Sequence, residues 1–159
     1  MRDLRANAVI LIAYLLAGVG SFLMAIPPGF LAPVWLPGAI GLSATLLVGY
    51  RALPAIIIGT ILLTLPYGLF ILEAGPVRSL AGSFGLAVAA ALQAVIAKRL
   101  IQPGPVSAIS LETGPDLARL IAFGAVFASM CGAALASGWL IIGGFAPPEL
   151  DFWTAFARN

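Results

Sequence analysis

Histidine is absent from this chain, and cysteine occurs once, at Cys131. A disulfide within the chain is therefore impossible, a Cys/His zinc site has no ligand set, and histidine-held haem is excluded. The usual proton switch near neutral pH is missing with the histidines. Charge is equally scarce: 9% of the 159 residues are Asp, Glu, Lys or Arg, against about a quarter in a typical soluble domain. The net charge of +2 is too small, and its basic residues too scattered, for a nucleic-acid surface. The acids Asp3, Glu73, Glu112, Asp116, Glu149 and Asp151 all sit at the ends of apolar runs or between them. Ion-coupled carriers usually need an ionisable group at membrane depth, so this weakens a coupled-transport reading. Ser83, Ser129 and Cys131 have no base nearby in the sequence, and neither a carboxylate pair nor a nucleophile elbow occurs. The expectation is a protein that is not an enzyme, with no cofactor and no metal.

What the chain does have is apolar residues, 62% of the total. Too little polar surface remains to cover a water-exposed fold, so the class is an all-α polytopic membrane protein in contact with a lipid bilayer. A crossing takes roughly 20 apolar residues at about 1.5 Å each. Five such runs are predicted, at 6–25, 31–49, 54–72, 77–97 and 117–142. The first follows Arg2 and Arg5 but is too long for a signal-peptide core and lacks a good cleavage site, so it reads as a retained span. The organising stretch is Ile26–Pro54, whose Pro27, Pro28, Pro33 and Pro37 cannot share one regular helix. It predicts a proline-rich, broken lead-in to the second span, with Leu31–Trp35 half-embedded. Gly49 then ends one helix and Pro54 starts the next, which predicts antiparallel neighbours.

Orientation follows from the basic residues. With the N-terminus in the cytoplasm, that side collects Arg2, Arg5, Arg51, Lys98, Arg99 and Arg119, and the outer side keeps Arg78 and Arg158. The bias predicts an outward C-terminus after five spans, with Arg51, Lys98 and Arg99 forming basic, topology-setting turns. Gly124, Ala128, Gly132 and Ala136 recur every four residues, a small-residue stripe for close helix packing inside one subunit or, less commonly, at a homodimer face. The tail, 145–159, contains Phe152, Trp153 and Phe156, which suit a membrane interface.

Few side chains offer ligand chemistry. Thr60, Thr64 and Tyr67 share one face of the third span, although threonines commonly bond back to their own helix. Gln93 is the one strongly polar side chain deep in the fourth span, a ligand contact or an interhelical hydrogen bond. Trp35, between Pro33 and Pro37, is an interfacial anchor or a ligand platform. Together Trp35, Pro37, Thr60, Thr64, Tyr67 and Gln93 form the candidate ligand-binding set, for a small, weakly polar ligand.

The run APVWLPGAIGLSATLLVGYRALPAIIIGTILLTL, from Ala32 to Leu65, resembles the signature region of the MASE1 family of integral membrane sensory domains. Trp35, Pro37, Gly49, Arg51, Ala52, Pro54 and Gly59 match the family pattern. Leu36 replaces the first proline of its Trp-Pro-Pro unit, the following glycine falls at Gly38, and Thr64 stands where asparagine is common. Lys98-Arg99 resembles the family's basic turn. The resemblance implies a non-catalytic, ligand-binding input module in a bacterial cytoplasmic (inner) membrane, acting on a cytoplasmic histidine-kinase or diguanylate-cyclase output domain or partner. It also implies further spans beyond the fifth, so that 1–159 would be a single domain that is a fragment or short form of a larger one. A reading from another class stands beside it: a small membrane transporter, or its substrate-binding subunit, built on discontinuous helices.

Overall fold

A computed structural model describes residues 2–24, 35–71, 73, 75–102 and 114–145. Expectations resting on Pro27, Pro28 and Pro33, on the polar stretch before Gly114, and on Phe152, Trp153 and Phe156 lie outside the described residues. Among the described residues all regular structure is helical: α1 (Arg2–Leu23), α2 (Leu36–Val48), a 3-10 turn (Gly49–Ala52), α3 (Leu53–Phe70), α4 (Pro76–Ile101), α5 (Gly114–Arg119), a π-helical segment (Leu120–Phe127) and α6 (Ala128–Ile142). Four stretches are long and apolar enough to cross a membrane: Leu4–Leu23, Leu36–Phe70, Pro76–Ile101 and Gly114–Ile142. The second holds both the second and the third expected spans. It is interrupted at Gly49, whose φ of 77° and ψ of −159° are far from helical and suit a residue without a Cβ. Pro37, Pro54 and Pro76 each stand in a first helical turn, where a missing amide hydrogen costs little.

Contacts set the helix directions. Phe22 near the end of α1 packs edge-on against Trp35 at the head of α2, with centroids 5.7 Å apart, and stacks on Tyr67 near the end of α3 at 5.8 Å. A Cβ on Gly68 would stand 3.0 Å from the Cβ of Ser79, so the end of α3 meets the start of α4. The Trp139 indole donates to the Ala81 carbonyl at 3.2 Å, and the Arg78 guanidinium donates to the Gly144 carbonyl, so the end of α6 also meets the start of α4. At the opposite end, Lys98 lies 5.8 Å over the Tyr50 ring. The chain therefore runs alternately one way and the other through α1, α2, α3, α4 and the α5–π–α6 rod.

Burial is inverted relative to a water-soluble helix bundle. On α1 the buried residues are Tyr14, Gly18 and Ser21, whereas Leu4, Val9, Ile12, Leu16, Val19 and Leu23 are exposed. Ser21, Thr45, Thr60, Ser79, Ser83 and Ser137 are likewise inside. Small and weakly polar residues face the helix contacts while large apolar ones face outward, the arrangement a lipid solvent selects. In water such a continuous apolar exterior would aggregate.

The expected side-by-side pairing of α2 with α3 is slight. α2 packs mainly on α1 and α4, and α3 on α4 and α1. The Tyr14 ring of α1 packs on both helices: a Cβ on Gly41 of α2 would stand 3.6 Å from Tyr14 Cε2, and one on Gly59 of α3 would stand 2.7 Å from Tyr14 Cδ1. Ile56 of α3 still reaches α2, with its Cδ1 3.4 Å from the Gly41 Cβ position. α2 begins with help from α1 as well. Ser21 Oγ donates to the Ala17 carbonyl at 3.1 Å and accepts the Leu36 N–H at 3.0 Å. A helix start leaves its first N–H groups without intrahelical partners. Here Ser21 takes one, Pro37 has none to offer, and Gly38 donates to the Trp35 carbonyl at 3.1 Å.

Candidate functional site

The centre of the bundle is built around Tyr14, 1% exposed and packed with Ala44, Ala52, Ile56, Leu63 and Ala94. A tyrosine hydroxyl at this depth needs a partner. It finds Thr60 Oγ1 at 2.8 Å, and Thr60 Oγ1 also bonds the Ile56 carbonyl at 2.9 Å. Because a hydroxyl has one hydrogen, and Thr60 gives its own to Ile56, Tyr14 is the donor to Thr60. Thr64 Oγ1 donates to the Thr60 carbonyl at 2.8 Å. The threonine face of α3 is thus turned largely to its own backbone, and its link to the centre runs through Tyr14.

Beside Tyr14 lies a small, partly open cavity of about 20 Å³, walled by residues of α1, α2, α3, α4 and the π segment, with Trp35 at the head of α2. Trp35, Pro37 and Gly38 from the start of α2, Gln93 from the middle of α4 and Gly124 from the π segment all border it. The volume is that of about one water molecule. No wall residue carries a charge at neutral pH. Its principal polar group outside the Tyr14–Thr60 pair is the Gln93 carboxamide, whose Nε2 donates to Ser129 Oγ at 3.3 Å. Glycines make the space: a Cβ on Gly38 would stand 3.7 Å from Trp35 Cδ1 and 3.8 Å from Gln93 Nε2.

Of the residues singled out from the sequence, Trp35, Pro37 and Gln93 come together here. Thr60 stands one hydrogen bond behind the wall, Thr64 beside it on α3, and Tyr67 stacks on Phe22, which also packs against Trp35. Tyr14 is the residue that sequence reading passed over. Its signal was available, a phenol deep in an apolar span that must find a partner.

The basic residues gather at the other end. Arg51 is exposed in the 3-10 turn, Arg99 is exposed near the end of α4, and Lys98 donates to Gln102 Oε1 at 2.8 Å while covering Tyr50. The small-residue stripe turns toward its own subunit over three of its members: Gly124, Ala128 and Gly132 are buried, and Ala136 is half-buried. Gly124 faces Ile101 and Leu42, and Gly132 faces the Gln93 side chain. A separate open groove of about 490 Å³, lined by Gly75, Pro76, Val77, Arg78, Ala81 and Phe145, contains none of the expected ligand residues.

Comparison with curated proteins and with solved structures returned no match. The sequence pattern of the MASE1 family matches residues 5–157, nearly the whole chain. The resemblance first visible around Trp35 and Arg51 thus extends through every helix described above, and the chain belongs to the MASE1 family of membrane-associated sensory domains of signalling proteins.

Proposed function

We propose that the chain is a non-catalytic input module that binds a small ligand within the membrane and biases a cytoplasmic signalling output of the histidine-kinase or diguanylate-cyclase type. The family match over 5–157 carries this reading. The convergence of Trp35, Pro37 and Gln93 on one uncharged cavity supports the place where a ligand is read. The mechanism is a population shift: a ligand that fits one helix arrangement better draws the bundle toward it, by no more than its differential affinity. The alternating helix directions support five crossings. The basic end formed by Arg51, Lys98 and Arg99 is assigned to the cytoplasm of a bacterial inner membrane, which puts the N-terminus inside.

Thermal-shift measurement of the purified, folded chain against a small-molecule panel tests the sensory reading, with stabilisation by neutral compounds expected. A flat response to all of them overturns it, and uptake of a compound into proteoliposomes by this chain alone replaces it with transport. For topology, an alkaline phosphatase fused after Asn159 should be active outside the cytoplasmic membrane. An inactive fusion paired with a fluorescent cytoplasmic one overturns the five-span, N-inside arrangement.

A further inference from the structure

The geometry points to the cavity beside Gln93 as a site for a neutral molecule of a few heavy atoms that carries a hydrogen-bond acceptor, admitted by movement of the π segment. This deepens the sensory reading and rests on it for its biological meaning. Three observations carry it. First, the walls hold no charged side chain. An ion stripped of water there would meet no counter-charge, a cost of several kcal/mol in real proteins, so the occupant is neutral. Second, the carboxamide of Gln93 has two N–H donors. Ser129 takes one, and the amide nitrogen stands at the cavity wall, 3.8 Å from the position of a Cβ on Gly38. A carbonyl or hydroxyl oxygen is the complementary partner.

Third, the space of about 20 Å³ admits one water, whereas an organic ligand needs more room. The wall able to give is the one formed by Leu120–Phe127, where Gly124 borders the cavity. A π-helical turn carries one residue more than an α-turn, is rare, and is frequently found at functional sites. Drawing that extra residue out would move Gly124 relative to Leu42 and Ile101, which stand 3.2 Å and 2.9 Å from its would-be Cβ. Occupancy of the cavity and the register of the α5–π–α6 rod are then one equilibrium.

Gln93 and Gln102 are the two glutamines of the chain, so isotope-labelled glutamine gives two side-chain amide pairs by NMR in nanodiscs. Titration with acetamide should move the Gln93 pair and leave the Gln102 pair in place, while acetate and methylammonium move neither. Gly38→Ala adds a methyl in ordinary contact distance of its neighbours and fills the cavity, so it should weaken the acetamide response by at least about tenfold. Gly138→Ala, where a Cβ meets nothing within 4 Å, should leave the response unchanged. Hydrogen exchange of the amides in 120–127 should change with acetamide in the wild type only. Equal movement of both glutamine pairs, an equal response to acetate, no response at all, or an undiminished response in folded Gly38→Ala overturns the site. None of those results touches the sensory reading, which falls instead on the thermal-shift panel or on uptake.

Discussion

Replacing Gly59 with alanine tests whether the Tyr14 ring is the wedge of the bundle. The added methyl would stand 2.7 Å from Tyr14 Cδ1 and 3.3 Å from Cε1, closer than carbon atoms approach without a shift. The ring has little freedom to yield. It is 1% exposed, its far edge lies 3.6 Å from the Cβ position of Gly41, and its hydroxyl is tied to Thr60. Overpacking of this kind costs about 1–3 kcal/mol. Alanine returns about 0.5–1 kcal/mol of that by restricting the unfolded backbone relative to glycine. The net expectation is a loss of roughly 1 kcal/mol or slightly more, close to a tenfold rise in the unfolded fraction. Reversible unfolding in mixed micelles or steric trapping in bicelles reads it directly. The decisive comparison is the same substitution in a Tyr14→Ala background, itself expected to cost about 3–5 kcal/mol. With the ring gone, Gly59→Ala should be neutral or stabilising, so the two sites should couple by about 1–2 kcal/mol. An equal penalty in both backgrounds would refute the wedge, because the methyl would then be meeting something else.

Ser21→Ala removes the acceptor for the Leu36 N–H and should cost about 1 kcal/mol, measurable by the same unfolding assay and rescued in part by Ser21→Thr. Gly85→Ala should displace the Trp139 indole that covers Gly85 and donates to the Ala81 carbonyl. A shift in tryptophan emission in a Trp35→Phe, Trp153→Phe background checks this, and unchanged emission counts against the contact. Gly138→Ala, on the same α6 helix but with open space around it, should stabilise by about 0.5–1 kcal/mol.

The membrane class was legible because composition alone decides it, and α1, α3 and α4 begin or end within a few residues of the apolar runs. Capping chemistry explains the best boundaries: Pro54 and Pro76 lie in first turns, and Gly143 follows Ile142 at the end of α6. Three features resisted reading. The neighbours of α2 were misjudged because loop length speaks for sequence proximity, whereas Tyr14, more than thirty residues away from Gly49, packs on both α2 and α3. The π segment at Leu120–Phe127 leaves no period distinct enough to separate it from an α-helix in so uniformly apolar a run. The cavity depends on where Gly38 and Gly41 of α2 meet Gly124 of the π segment, a tertiary fact. Trp35, Pro37 and Gln93, singled out as ligand-contact candidates, do border one cavity, and of the three only the amide of Gln93 is costly to place in lipid without a partner. Thr64 and Tyr67 were singled out by helical periodicity; the structure turns the Thr64 hydroxyl to its own backbone and stacks Tyr67 on Phe22, contacts that periodicity alone does not reveal.

The bond from Leu36 N–H to Ser21 Oγ has a consequence for biogenesis. In lipid an amide hydrogen without a partner is penalised by several kcal/mol, and α2 opens with such an amide followed by Pro37. Its acceptor belongs to a helix made earlier on the ribosome and held by its own bond to Ala17. If α1 is still beside α2 during insertion, the Leu36 amide enters lipid already partnered. Ser21→Ala should then lower the membrane-inserted fraction of α2 in a translocon insertion assay, and unchanged insertion would refute this. Synthesis order and native contact coincide at this one hydroxyl, an acceptor made before the amide that needs it.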